Sequence, residues 1–421
     1  MKNIFIIALL FICNSIFAQD AIEYQTPPKE IYDLVMAKPT PGVTFDSKGQ
    51  YMLILERSSM PSVEDLAQPE LRIAGLRINP NNFGPSRSAY TTGILIKEMA
   101  TGKEFPVAGL PANLKAGNLR WSPNEDKAAF TNTTNTAIDI YVIDIKAHKA
   151  AKVNKAAVNL VLGSIDWVDN STLLYTAVNK PLAMAPKKTL APRGPVIQQN
   201  LGKVAASPTF QDLIKSPFDE TQFEFYATTQ LVKNSNGVET NIGSPAIYSN
   251  VEPSPDKKYL LIERIDKPFS YLVTAYGFNS TMMITDMNGT LVKTIAKLPS
   301  SELEPRGNDN VLNAPRGYTW LSNTPSTLQW IEPLDSGMIK NKMEFHDAAY
   351  TLAAPFTSEP RLFCKTAMRM YGIAMLSNNT YFITEGSRAQ HRQKLSSLNP
   401  DRSLNLLIDR STDDAYNDPG T

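Results

Sequence analysis

VEPSPDKKYLLIERI, from Val251 to Ile265, reads as a hairpin written in residues: an apolar run, a Ser-Pro-Asp turn, and a second apolar run. Proline and aspartate suit the tight backbone, and alternating apolar and polar side chains suit strands packed on one face. The same cadence returns as FDSKGQYMLILER from Phe45, LRWSPNEDKAAFTNT from Leu119, IDWVDNSTLLYTAV from Ile165, YTWLSNTPSTLQWIE from Tyr318 and MLSNNTYFITEG from Met375. A second hairpin form recurs as GILIKEMATGKEFP from Gly93, DIYVIDIKAHKAAKV from Asp139, TMMITDMNGTLVKTI from Thr281 and KLSSLNPDRSLNLLID from Lys394. Two hairpins per unit make a four-stranded blade, and strand-built repeats of about 40 to 50 residues are the signature of a β-propeller. The spacing is uneven, so the expected fold is an all-β propeller of about six to seven four-stranded blades, some with insertions. An incomplete ring of blades would leave two blade faces uncovered.

Composition narrows function. With 42 Lys and Arg against 41 Asp and Glu, the chain of 421 residues has no electrostatic footprint for nucleic acid or an anionic membrane. Its first residues, MKNIFIIALLFICNSIFAQD, place one lysine before an apolar stretch and Ala18 before Gln19, the layout of a secretory signal peptide cleaved after Ala18. The apolar run is shorter than the roughly 20 residues a spanning helix needs. Residues 1–18 are therefore read as the signal, 19–41 as an N-terminal extension and 42–421 as the propeller. The expected location is periplasmic or extracellular in a bacterium, with no membrane contact once the signal is removed. Signal removal would leave Cys364 as the lone cysteine, which excludes an internal disulfide or a cysteine-clustered metal site.

Two excursions interrupt the strands. Residues 60–90 carry Ser62 and Asp65 at capping-box spacing, which predicts one helical turn through Leu66 followed by loop. Residues 179–229 hold Ser207-Pro208 and Ser216-Pro217, two helix-start pairs that predict two short helices, with Phe210, Leu213 and Ile214 on one face of the first. Phe218, Phe223, Phe225 and Tyr226 are expected to fill a local core. Pro28 to Met36 is a further helical candidate.

No catalytic group emerges. There is no Gly-x-Ser-x-Gly elbow, no phosphate-cradling glycine loop, and no metal spacing around His148, His346 or His391. No cofactor, metal or catalytic residue is assigned. Asp413, Asp414 and Asp418 offer only part of a calcium loop and read as solvated. Arg72, Arg77 and Arg87 in the first insertion could each grip a carboxylate, or lie along apolar surface as rim residues.

Four segments say more. PELRIAGLRINPNNFGPSRSAYTTGI from Pro69, FQDLIKSPFDETQFEFYATTQL from Phe210, PRGYTWLS from Pro315 and IDRSTDDAYNDPG from Ile408 closely resemble the propeller half of the glutamyl endopeptidase branch of the prolyl oligopeptidase superfamily. The resemblance implies a secreted serine peptidase whose propeller caps a C-terminal α/β-hydrolase domain with a Ser/Asp/His triad, cutting peptides after acidic residues. None of the triad can be placed on this sequence. The resulting expectation is a non-catalytic propeller portion, inactive alone, that gates peptide access to a hydrolase domain supplied elsewhere. Its partners would be that domain and a peptide substrate, with Arg72 and Arg77 near the substrate's acidic side chain. The competing reading is a stand-alone exported propeller that binds protein or peptide.

Overall fold

The computed structural model describes residues 25–188, 194, 210–376, 379–416 and 418. The signal-peptide reading and the Ser207-Pro208 helix start lie outside the described residues. Within them the chain is a β-propeller of six four-stranded antiparallel blades. Blade 1 is β1 (Gly42–Phe45), β2 (Tyr51–Arg57) and, beyond an insertion holding β3 (Leu71–Ile73), β4 (Leu76–Asn79) and β5 (Gly84–Pro85), β6 (Thr91–Glu98) and β7 (Glu104–Pro106). Blade 2 is β8 (Ala116–Trp121), β9 (Lys127–Thr133), β10 (Ile138–Asp144) and β11 (Lys149–Lys152). A single pairing of Thr91 with Ala116 joins these two blades into one continuous sheet path. Blade 3 is β12 (Ile165–Asp169), β13 (Thr172–Val178), β14 (Thr229–Ser235) and β15 (Val238–Ala246), and blade 4 is β16 (Tyr248–Pro253), β17 (Tyr259–Ile265), β18 (Ser280–Asp286) and β19 (Leu291–Leu298). Blade 5 is β20 (Arg316–Trp320), β21 (Thr327–Pro333), β22 (Asp347–Ala353) and β23 (Arg361–Thr366), and blade 6 is β24 (Arg369–Met375), β25 (Tyr381–Ser387), β26 (Arg392–Leu398) and β27 (Leu404–Ser411). Among the described residues there is no α/β-hydrolase domain.

Each hairpin marked by the sequence cadence becomes the inner pair of a blade. The outer pairs of blades 3 and 5 are additional to those the sequence marked. Their signals are weaker: the first has an Asn236-Gly237 turn with both residues at positive φ, 50° and 83°.

Packing is serial. One cluster of buried apolar side chains lies between each blade and the next, for example Phe130 and Leu53 between blades 1 and 2, and Trp320, Trp330, Leu261 and Met282 between blades 4 and 5. Five such clusters serve six blades. Burying each large apolar side chain contributes about 1.5–3 kcal/mol, so the blade-to-blade cores are the main source of stability. The outermost blades each keep an apolar face open, with Val43 and Phe45 exposed on β1 and Leu406 and Leu407 exposed on β27.

Antiparallel alternation assigns the loops to faces. The starts of the first and third strands and the ends of the second and fourth share one face of the disk. Both long insertions leave after a second strand, so both stand on that face. Helix α1 (Lys29–Val35) precedes β1 there, α2 (Val63–Leu66) opens the first insertion, and α3 (Pro217–Ala227) closes the second. The Ser62 hydroxyl accepts from the Asp65 amide and caps α2, as its spacing requires. Ser216 caps α3 in the same way, with Pro217 in the first turn.

Two expectations need correction. The remainder of the first insertion is not all loop but holds the three-stranded sheet β3-β4-β5. Residues 210–215 are not helical, because the segment is pulled flat against the β3–β4 tip: the Gly75 amide donates to the Asp212 carbonyl at 2.9 Å.

Candidate functional site

The β3–β4 hairpin carries Arg72 and Arg77 as a directly opposed cross-strand pair. Alternation places Leu71, Ile73, Leu76 and Ile78 on the other side, where they pack into an apolar cluster with Phe83, Val161, Ile214, Phe223, Tyr226, Phe269 and Phe278. That cluster draws on the insertions of blades 1 and 3 and on the loop between β17 and β18, so it is the floor of the insertion-bearing face. The aromatics Phe223 and Tyr226 are buried in it and Phe225 packs beside them, as expected of a local core, whereas Phe218 is not among its residues. The hairpin tip is Ala74-Gly75, both at positive φ, and a Cβ on Gly75 would lie 2.3 Å from the Thr274 methyl. Glycine alone permits that approach.

Two like charges opposite one another on a hairpin repel unless neutralised. Here each is met by an acid. Arg72 donates through Nε to Glu70 Oε1 at 2.7 Å, and Arg77 donates through Nε to Asp212 Oδ2 at 3.0 Å. Arg87 lies 3.6 Å from Glu70 Oε2. Hydrogen bonds from the Ser86 hydroxyl and from Arg72 hold the Glu70 carboxyl below the usual carboxylate range. Three guanidinium groups thus face two carboxylates. The side chains of Arg72 and Arg77 are about half exposed, and among the described residues neither donates a hydrogen bond from its Nη groups. A cleft of about 530 Å³ opens on the Asp212 side, lined by Phe210, Asp212, Lys215, Tyr271 and Leu272. The Tyr271 phenol, partly buried and donating to Glu220, is pushed up to about 12. This arrangement can take a further carboxylate on outward-facing guanidinium edges.

The histidines are accounted for separately. His148 stacks on Phe105 with ring centroids 4.2 Å apart, and His391 pairs through Nδ1 with Asp413 at 3.0 Å. His346 joins a buried network that no sequence signal marked: its Nδ1 lies 2.7 Å from Asp335 Oδ2, and Asp335 also receives both hydrogen bonds from Arg369 Nη2, at 2.9 and 2.6 Å. Among the described residues no serine hydroxyl is hydrogen-bonded to a histidine, and no three His, Cys, Asp or Glu side chains are grouped to hold a metal. Burial pushes the Cys364 thiol up to about 12, which makes it inert at neutral pH. None of the helices is long and apolar enough to cross a membrane among the described residues.

No family model matches the chain. Among curated proteins it is 32% identical over 418 residues to a probable chloroplastic glutamyl endopeptidase of Oryza sativa subsp. japonica, covering 94% of this chain and 45% of the relative. The corresponding Arabidopsis thaliana protein is also 32% identical, over 417 residues, covering 94% of this chain and 43% of the relative. The chain therefore spans less than half the length of the curated relatives it matches. Similar solved structures include a prolyl endopeptidase, at 8% identity and a TM-score of 0.43 over 90% of this chain and 43% of that one. The β-propeller domain of the Trilobed protease from Pyrococcus furiosus gives 11% identity and a TM-score of 0.39, covering 88% and 84%. Identity sustained along nearly the whole of this chain, on a six-bladed propeller, makes it similar to just under half of the length of these glutamyl endopeptidases.

Proposed function

We propose that this chain is the non-catalytic propeller portion of a glutamyl endopeptidase-like serine peptidase, gating peptide access to a hydrolase domain through its insertion-bearing face. The observation that carries the reading is the gathering of the opposed arginines and a run of exposed apolar side chains on that one face. Met60, Val63, Leu66, Tyr276, Leu303 and Met343 are all exposed there, on loops of blades 1, 4 and 5 and the connection between blades 4 and 5. Apolar patches of this kind on a soluble disk favour a partner surface. Arg72 and Arg77 are the groups proposed to meet the acidic side chain of a peptide, bidentate through Nη while Nε stays on Glu70 and Asp212. Export through a signal ending at Ala18 belongs to the same proposal, and mass spectrometry of the secreted product should find Gln19 at its N-terminus.

The experiment measures binding of a Glu-containing peptide and its Gln analogue to the purified chain by calorimetry, with wild type and an Arg72→Gln, Arg77→Gln double variant. The Glu peptide should bind at least 10-fold more tightly than the Gln peptide, and the double variant should erase the difference. Equal binding of both peptides to the wild type would sink the arginine assignment. Hydrolysis of either peptide by the chain alone, blocked by a serine-directed inhibitor, would sink the non-catalytic reading.

A further inference from the structure

A groove of about 360 Å³ lies between blades 3 and 4 at the rim of the disk. One wall is the outer strand β15 from Gly243 to Ala246, and the other is the blade-4 surface facing it. That surface is ordered in cross-strand rows. Arg264, Thr281 and Lys297 form the first row, Ile262 and Met283 with Thr294 the second, and Leu260, Thr285 and Leu291 the third. The rows run along β18 from Thr281 to Thr285, about 13 Å at the usual rise per strand residue. By strand direction the cationic row sits at the insertion-bearing face, and the far end is closed where Gly289 meets Gly243. A Cβ on Gly289 would fall 2.4 Å from the Gly243 nitrogen.

Charge and polarity vary along the groove. At the mouth, Arg264 donates through Nε to Asp266 at 2.8 Å, and Asp266 also accepts from Thr281, while Lys297 has no ion-pair partner among the described residues. Two cations against one carboxylate leave the mouth positive. The floor is apolar, from Ile242, Tyr248, Ile262 and Met283 at the outer end of the blade 3–4 core. Near the closed end Thr285 lines the groove at 3% exposure, and its buried hydroxyl has no hydrogen-bond partner among the described residues. An unpaired buried hydroxyl is costly, so a polar ligand atom there would relieve it.

We propose that this groove binds the C-terminal end of a peptide, with the terminal carboxylate at Arg264 and Lys297, an aliphatic side chain on Met283 and Ile262, and a main-chain group at Thr285. With a hydrogen-bond distance of about 3 Å taken at each end, the length admits about two extended residues at about 3.3 Å each. A plain fatty carboxylate would satisfy the mouth and floor but leave Thr285 unpaired, which favours a peptide. The site is separate from the arginine hairpin and does not depend on the role proposed for it.

The test titrates the full chain with acetyl-Leu-Leu carrying a free carboxylate, with its C-terminal amide, and with octanoate. Acetyl-Leu-Leu should bind at least 10-fold more tightly than either of the others. Lys297→Glu, an exposed substitution, should weaken acetyl-Leu-Leu binding at least 10-fold. Thr285→Val should weaken it several-fold while leaving the thermal midpoint unchanged or raised, since it removes an unpaired hydroxyl. Amide or octanoate binding as tightly as the free dipeptide, or both variants binding like wild type, would overturn the proposal.

Discussion

Arg369 is among the largest of the fully buried side chains, and it is charged. Its guanidinium reaches Asp335 through Nη2, Asp347 Oδ1 through Nη1 at 2.9 Å, and the Asp309 carbonyl through Nε at 2.6 Å. It thereby ties the first strand of blade 6 to the loop and third strand of blade 5. Removing one partner of such a network strands the rest, so Arg369→Met should cost about 3–5 kcal/mol in urea unfolding. Burial pushes the Asp335 carboxyl up, but hydrogen bonds from Arg369 and His346 outweigh it and hold the group below the usual carboxylate range. The folded state therefore binds this proton less readily than the unfolded chain. Its contribution to stability is complete above the ordinary carboxylate range and is lost as pH falls toward the folded value. Glu252 on the inner strand β16 behaves in the opposite sense, since burial and then the nearby Asp166 charge raise its carboxyl. Glu252→Gln should raise the thermal midpoint at neutral pH, and that gain should vanish below the ordinary carboxylate range, where wild-type Glu252 is already protonated. Of these residues none stood out in the sequence, because a charge acquires meaning only from what is folded against it. The partners of Arg369 are 34 and 22 residues distant, and Asp212 is 135 residues from Arg77.

The blade hairpins do more than form sheets. Tryptophans near the ends of first strands donate their indole N–H backwards to the previous blade: Trp121 to the Thr44 hydroxyl, Trp167 to the Arg120 carbonyl and Trp320 to the Glu252 carbonyl, each at 3.1 Å. The turn residues of the recurrent cadence stitch the opposite face forward. Ser47 pairs with Glu125, Asn124 and Asp126 with Asn170, Asp256 with Ser326, and Asn323 with Asn379 and Tyr381. The residues that announce the repeat are thus the ones that join its copies. Trp320→Phe keeps the aromatic packing but loses the donor, and should cost about 1 kcal/mol by thermal or urea unfolding. Gly289→Ala should cost more than Trp320→Phe, because φ of 86° is strained for alanine and the added methyl meets the backbone of Gly243. Elements with strong turn chemistry were legible from residues alone. The β3–β4–β5 sheet was not, since its strands are two to four residues long and its register is set by contacts with Asp212 and Ala275 rather than by its own pattern.

At the scale of the molecule, six blades share five cores, so the end blades have one packed neighbour and the inner blades two. Amide hydrogen exchange should accordingly be slowest in the strands of blades 2 to 5 and faster in β1, β2 and β24 to β27; equal protection throughout would contradict serial packing. The same asymmetry explains the exposed Phe45 and Leu406, apolar side chains on faces that have no neighbouring blade cluster among the described residues. The sequence by itself determined the architecture: turn residues between alternating apolar runs leave the backbone little choice but hairpins, and hairpins with one apolar face must stack. It also carried the kinship, through insertion segments too particular to belong to any propeller. Only the tertiary structure decided that loops from three blades converge on one apolar floor, that Arg72 and Arg77 stand opposed with an acid each, and that a cationic groove opens between blades 3 and 4. The reason is physical. Local pattern governs which residues pair across a turn, whereas ion pairs and grooves are made by residues brought together from distant stretches once the blades have packed.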